Sequence, residues 1–159
     1  MKILKAKQTD LKFLFQIYNY YIKKNLFSSS KKIKYSDHKK WFEQSYLKEK
    51  KVHIFILKIN KIRIGYIRYE NIKKNIYEVS LALKQDCTNL GLGTKMLNKS
   101  LKKFLVKKKF TIISKVKKSN KKSISCFTKN NFKKINFKNK FFNNQKNVNN
   151  YHFFKYVDK

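Results

Sequence analysis

The sequence predicts an α/β (α+β) domain with about seven strands and about four helices. Three observations carry that expectation. Strand-like apolar runs recur at 52–59, 62–69, 76–83 and 110–116. Segments with apolar residues three and four apart separate them, the period of a half-buried helix. Two of the three glycines, Gly91 and Gly93, fall where a strand-like run gives way to a helix-like one. The resulting order is β-α-α-β-β-β-α-β-α-β-β, with neither an internal repeat nor a domain boundary, so residues 1–159 are expected to form one domain.

The elements follow in order. "MKILKA" at 1–6 reads as a short strand. Thr9 or Asp10 then caps a helix carrying Leu11, Leu14, Phe15, Tyr18 and Ile22 on one face. After the polar break at 28–32, Ser36 or Asp37 opens a second helix with Trp41, Phe42 and Leu47 as its apolar side. "VHIFILKI" at 52–59 is almost continuously apolar, as a central strand should be. "IRIGYIRY" at 62–69 alternates, placing Ile62, Ile64 and Tyr66 opposite Arg63, Ile67 and Tyr69, and "IYEVSLAL" at 76–83 alternates as well. A hairpin turn is expected at 58–61 and a longer one at 70–75. Met96, Leu97, Leu101, Phe104 and Leu105 then mark a helix, 110–116 a strand, and 120–132 a short helix opened by Ser119 or Asn120. Strand-like "KINF" at 134–137 and "YHFFKYV" at 151–157 flank an Asn-rich connection.

Composition narrows the function less than it first suggests. The formal net charge is +33, from 41 Lys and Arg against 8 Asp and Glu, and such a surface attracts polyanions. Yet only Arg63 and Arg68 are Arg, Pro is absent, and Lys, Asn, Ile, Phe and Tyr abound. Those residues have AT-rich codons, and the lysines are spread along the chain, so nucleotide bias accounts for much of the surplus. No apolar run approaches a membrane span, and the N-terminus lacks the apolar core of a signal peptide. Cys87 and Cys126 belong to no metal-ligand pattern. The expectation is a cytoplasmic protein with reduced thiols and no metal, acting as a monomer or homodimer.

The turn "TNLGLG" at 88–93 suits a phosphate. Glycines let the backbone approach an anion, and the first free N–H groups of a helix carry partial positive charge. The N–H groups of Asn89 to Thr94 would hold a diphosphate, with Lys95 adding charge. No third glycine or Gly-Lys-Ser/Thr motif makes this a dinucleotide fingerprint or P-loop.

The element order and this turn together resemble the GNAT superfamily of acetyl-CoA-dependent N-acyltransferases, over nearly the whole chain. Its acyl-CoA motif is Arg or Gln, two residues, Gly, one residue, then Gly or Ala. Here Gly91 and Gly93 match, while Thr88 stands at the Arg or Gln position. The second marker is an Asn opening the helix after the next strand, a small residue three on and an aromatic seven on. Asn120, Ser123, Phe127 and "NNF" at 130–132 correspond, with Phe127 in place of the usual Tyr. The resemblance implies a central mixed, mostly antiparallel twisted sheet, splayed between strands 4 and 5. It also implies acetyl-CoA as co-substrate, contacted by Leu81, Ala82 and Leu83 on the strand-4 edge. Thr88, Asn89, Leu90, Gly91, Leu92, Gly93, Thr94, Asn120, Ser123 and Phe127 complete that expected set. A backbone N–H of the edge would polarise the thioester carbonyl.

Glu78 is the leading base for the attacking amine, because an acidic side chain inside an apolar strand must be wet or paired. Its bland alternative is an edge-strand Glu paired with a lysine. His38 is the second catalytic candidate. "SDHKKWFEQ" resembles a helix in the acetyltransferases of pseudaminic acid biosynthesis, where a His with an aromatic three residues on lies near the acceptor. His38, Trp41 and Arg68 are accordingly expected to bind substrate, Arg68 and the lysines attracting a nucleotide diphosphate. Phe127 has no hydroxyl for the departing thiolate, which leaves water, Ser123 or unaided departure. The leading function is acetyl transfer to the 4-amino group of a UDP-linked amino-deoxysugar in a ternary complex. The alternatives are a ribosomal-protein or other protein N-terminal acetyltransferase, a basic nucleic-acid-binding module, and a catalytically silent acyl-CoA sensor.

Overall fold

A computed structural model describes residues 1–27, 31–106, 110–136 and 148–157. Seven strands form one sheet in the order β1-β2-β3-β4-β5-β7-β6. They are β1 (Lys2–Lys5), β2 (Val52–Ile59), β3 (Ile62–Lys73), β4 (Ile76–Leu83), β5 (Thr111–Lys117), β6 (Phe132–Ile135) and β7 (Tyr151–Tyr156). Every neighbouring pair is antiparallel except β4 and β5, which run parallel. The four α-helices are α1 (Leu11–Lys23), α2 (Tyr35–Trp41), α3 (Leu92–Phe104) and α4 (Lys121–Thr128). The mixed, mostly antiparallel sheet with its flanking helices is the predicted fold class.

Strand alternation divides the core into two layers. One face presents Phe55, Leu57, Ile67, Tyr69, Tyr77, Val79 and Ile112 to Met96, Leu97, Leu101 and Phe104 of α3 and Phe127 of α4. The other presents Val52, Ile54, Ile56, Tyr66 and Ala82 to Leu11, Leu14 and Ile17 of α1 and to Phe42 beyond α2. β2 is the central buried strand that its composition predicts.

Several local expectations need correction. Tyr35 opens α2 with Lys34 at its N-cap and no side-chain cap, so neither Ser36 nor Asp37 starts the helix as a cap. The helix then widens into a π-helical stretch, Phe42–Lys48. Leu47 lies five and six residues past Phe42 and Trp41, a spacing that does not return to one helix face, and it ends 46% exposed instead of on the apolar side. Likewise Asp10 does not cap α1: its carboxylate accepts from Lys7 N–H and pairs with Arg63, tying the β1–α1 turn to β3.

In β3 the alternation slips. Leu57 faces Gly65 and Lys58 faces Arg63, so Ile64 is the unpaired residue of a bulge. Ile64 therefore joins Ile67 and Tyr69 in the first layer instead of Tyr66 in the second. Gly65 follows the bulge, and a Cβ there would meet Leu83 Cδ2 at 2.5 Å and Ala82 O at 2.7 Å. Asn60 and Lys61 form the first hairpin turn, both at positive φ, as a tight two-residue turn demands. The expected long turn at 70–75 is shorter, because β3 runs on to Lys73 through a second irregularity. β6 begins at Phe132, two residues before the expected "KINF". The connection at 138–147 and Phe137 lie outside the described residues.

Candidate active site

The site begins where the parallel pair ends. Ile76, Tyr77 and Glu78 face Thr111, Ile112 and Ile113, and beyond Glu78 no further rung joins the strands. β4 continues to Leu83 and β5 to Lys117, so the two splay apart, as expected between strands 4 and 5. They bound a cleft of about 690 Å³, closed below by Gly93 and Thr94 of α3 and by Ser123, Cys126 and Phe127 of α4.

The pleat decides what β4 offers to that cleft. Lys84 N–H donates to Ile64 C=O on β3, so the alternating peptide groups of Leu83 and Leu81 point the other way, into the splay. From that side the Tyr21 hydroxyl of α1 donates to the Leu83 carbonyl at 2.9 Å. The Leu81 peptide remains facing the cleft, while that of Ala82 is turned to β3. Within the expected edge, Leu81 and Leu83 present backbone and Ala82 packs into the second core layer.

The turn after β4 is built by side chains folding back on it. Thr88 Oγ1 donates to Gln85 C=O at 2.8 Å, which commits its hydroxyl to the turn. Asn89 and Gly91 adopt positive φ, 66° and 67°. Gly91 is the N-cap of α3, and a Cβ on it would meet nothing within 4 Å, so its glycine answers to conformation and not to space. Lys95 N–H is the first to find a helical carbonyl, that of Gly91. The N–H groups of Leu92, Gly93 and Thr94 therefore precede the helical ladder. Thr88, Asn89, Gly93 and Thr94 line the cleft; Leu90 stands 63% exposed, and neither it nor Gly91 nor Leu92 belongs to the lining.

α4 completes the far wall. Asn120, not Ser119, caps it, its side chain accepting from Ser123 N–H at 3.1 Å. Asn120, Ser123 and Phe127 all line the cleft, and Phe127 packs edge-on against Phe132. The first residue of "NNF", whose role the sequence did not reveal, locks this wall to the turn. The buried Asn130 amide donates to Cys126 C=O at 2.8 Å and to Thr94 C=O at 3.3 Å.

At the other end of the cleft lies Glu78. Its cross-strand neighbour on β3 is Glu70, two carboxylates directly opposed. Arg68, on the same face, pairs with Glu70 at 3.2 Å. Burial pushes the Glu78 carboxyl above the ordinary carboxylate range, Arg68 and Lys115 oppose that shift, and Glu70 adds to it. Glu78 is thus a half-buried carboxyl group in the field of two cations, at the point where the splay opens. Lys115, on β5, also lines the cleft and was missed, because one lysine among so many carries no signal in the sequence.

His38 sits elsewhere. It lies between α1 and α2, 5% exposed, sandwiched between Tyr18 and Trp41. Burial, aided by Arg68, lowers its pKa from 6.5 to about 4, so the ring is neutral at pH 7. Trp41 and Arg68 share its surroundings, the guanidinium 5.6 Å from the Trp41 ring centre. With Leu14, Tyr18, Ile33, Asp37, Ile54 and Tyr66 they enclose a side chamber of about 300 Å³. Tyr18, Tyr66 and Arg68 line both chamber and cleft, joining the two spaces. The structure brings Glu78 to the β4 edge and leaves His38 as a chamber wall. Buried His38 Nε2 and Arg68 Nε have no hydrogen-bond partner among the described residues.

Among the described residues no His, Cys, Asp or Glu side chains gather into a metal-binding group. No described helix is long and apolar enough to cross a membrane.

Comparison with known proteins agrees with this geometry. No curated protein sequence matches the chain. Ribosomal-protein-alanine N-acetyltransferase from Brucella melitensis superposes with a TM-score of 0.81 at 17% identity, covering 99% of this chain and 100% of that one. The Salmonella typhimurium protein yncA, solved with its cofactor acetyl-CoA, gives 0.79 at 16% identity over 100% and 95%. Spermidine N-acetyltransferase from Vibrio cholerae, in complex with CoA and spermine, gives 0.77 at 13% identity over 97% and 92%. At these identities the likeness is one of fold. The model of the acetyltransferase (GNAT) family matches residues 15–132, which span both the splayed strands and the Gly91 turn. The chain belongs to the GNAT acetyltransferase family.

Proposed function

We propose that this acetyltransferase uses acetyl-CoA to acetylate a primary amine borne on a ring, and that the acceptor is the 4-amino group of a UDP-linked amino-deoxysugar. The observation that carries the reading is the side chamber. Its walls carry four rings, Tyr18, His38, Trp41 and Tyr66, among aliphatic side chains, and Arg68 stands where it joins the cleft. Flat walls suit a ring, and a guanidinium suits phosphate oxygens. Among the described residues the chamber's one acidic lining residue is Asp37, which argues against a polyamine needing several carboxylates.

In this reading the Leu81 peptide and the first turn of α3 hold the coenzyme's polar backbone and diphosphate. The Leu81 N–H faces the thioester carbonyl and stabilises the oxyanion that forms as the amine attacks. Glu78 takes the amine proton directly or through one water. The thiolate leaves with no tyrosine hydroxyl to receive it, since Phe127 occupies that place. Both substrates are bound together, so no acyl-enzyme is required.

The test is thiol release from acetyl-CoA over UDP-linked 4-aminosugars, peptides with varied N-termini, and spermidine. Turnover of the aminosugars, lowered by Glu78→Gln with CoA affinity intact, is the expected result. Turnover of peptides or spermidine with inert aminosugars would overturn the acceptor assignment.

A further inference from the structure

We propose that Lys115 is a self-acetylation site: in the absence of an amine acceptor, the chain transfers the acetyl group of bound acetyl-CoA to the Lys115 Nζ. The inference rests on the acetyl-CoA reading of the cleft but not on the identity of the acceptor.

Among the described residues three lysines line the cleft, Lys115, Lys117 and Lys122. The Lys117 ammonium bridges to Asn25, donating to both its backbone and side-chain oxygens. Lys122 lies in the first turn of α4, on the wall shared with Asn120 and Ser123. Lys115 lies on β5 two residues past Ile113, the partner of Glu78 at the last rung. Like Glu78, it is placed where the strands begin to part. Its Nζ lies 4.2 Å from the centre of the Tyr151 ring, which gives the long side chain a defined course.

The electrostatics make this lysine an unusual nucleophile. Partial burial lowers its pKa, while Glu78 acts in the opposite sense, and the lowering wins. A larger share of Lys115 is therefore free amine than for a solvated lysine. The positive charge of Lys115 in turn opposes the rise in the Glu78 pKa.

The step balances without any further reagent. Glu78 accepts a proton from the Lys115 ammonium, and the freed amine attacks the thioester carbonyl carbon. The C–N bond forms, the C–S bond breaks, and the thiolate of CoA leaves to be protonated by water. The amide nitrogen loses its remaining extra proton to solvent. The product is neutral, so one of the two cations that oppose the raised Glu78 pKa is gone, and an amide occupies the acceptor end. Acetylation at Lys115 would therefore be self-limiting, since it blocks both a second transfer and the attack of an external amine.

The full chain is incubated with acetyl-CoA and no acceptor, and site occupancy is read by peptide mass spectrometry. Lys115 is expected to label at least about tenfold faster than the median lysine, the modest end of what proximity supplies. Excess CoA should suppress that label and spare chemical acetylation elsewhere. Glu78→Gln should slow it, and Lys115→Arg should remove it without raising occupancy at Lys117 or Lys122. Labelling of Lys115 at the common surface rate, or labelling indifferent to CoA, would overturn the proposal. Thermal stabilisation by CoA, measured alongside, separates two failures: binding without Lys115 acetylation overturns only this inference, and absence of binding overturns the reading of the cleft as well.

Discussion

Gly93→Ala is the substitution that most directly tests where the coenzyme runs. A Cβ at residue 93 would sit 3.5 Å from Leu81 Cδ1 and 3.7 Å from both Cys126 Sγ and Leu83 Cδ1. Those are ordinary contacts, so the protein accommodates the methyl group without shifting. Residue 93 also has negative φ and lies in the first turn of α3, where alanine is favoured over glycine by up to about 1 kcal/mol. Stability should hold or rise, by roughly 2–4 °C in Tm at most for a chain of this size. The added methyl fills the gap between the α3 turn and the β4 edge, the space assigned to the coenzyme arm. Overlap there costs about 1–3 kcal/mol, which raises the Kd for CoA roughly 5- to 150-fold. Titration calorimetry reads the affinity, and a thermal melt reads the fold. Gly91→Ala is the matched control. Its φ of 67° strains a side chain by about 1–2 kcal/mol, yet its Cβ meets nothing within 4 Å. It should lose stability first. Unchanged CoA affinity in a well-folded Gly93→Ala chain would refute the path of the coenzyme between α3 and β4.

Two further outcomes follow from the buried charges. His38 is neutral in the fold with a pKa of about 4 against 6.5 unfolded, so between those values the unfolded chain holds the extra proton. Its contribution to stability is complete above pH 6.5 and falls by roughly 3 kcal/mol as pH drops through 4. Urea midpoints across pH 4–7 should show this decline, and His38→Gln should flatten it; an equal slope in the variant would contradict the assignment. Arg68 holds the raised Glu78 pKa down, so Arg68→Met should move the acidic limb of kcat to higher pH, with Arg68→Lys between the two. An unmoved limb would show that Glu78 is not the titrating base.

The sequence was most legible where local rules and tertiary packing agree. β2 reads as buried from its own apolar run, and α3 from the spacing of Met96, Leu97, Leu101 and Phe104. Asn120 caps α4 because an Asn side chain can reach the N–H three residues on. Reading failed where geometry depends on the neighbour. The bulge at Ile64 arises from register with β2, and no residue type in "IRIGYIRY" announces it. Leu47 is exposed because five and six residues from Phe42 and Trp41 do not return to one helix face, and the π-helical stretch at Phe42 has no announcing residue type. Gly65, which nothing in "IRIGYIRY" singles out, proves the tightest of the glycines because β4 passes so close. Lys115 carries no local signal at all, and Asn130 none beyond its place in "NNF", since Asn and Lys are everywhere in this composition.

The net charge of +33 and the chemistry at Glu78 belong to different length scales. Exposed charges beyond about 8 Å are largely screened at physiological salt. Most lysines therefore leave Glu78 unaffected, and only Arg68 and Lys115 oppose its desolvation. Those two cations act twice. They oppose the rise in the Glu78 pKa that burial causes. They also disfavour an ammonium brought to the same end of the cleft, so an incoming amine gives up its proton more readily beside them than in water. Glu70 tempers both effects, because it neutralises part of Arg68 at 3.2 Å while opposing a second negative charge on Glu78. In the proposed reaction the base works within a four-charge group of Arg68, Glu70, Glu78 and Lys115 on one face of the β3-β4-β5 splay. Its competence depends on spacing set by strand register and not on any single residue's intrinsic pKa.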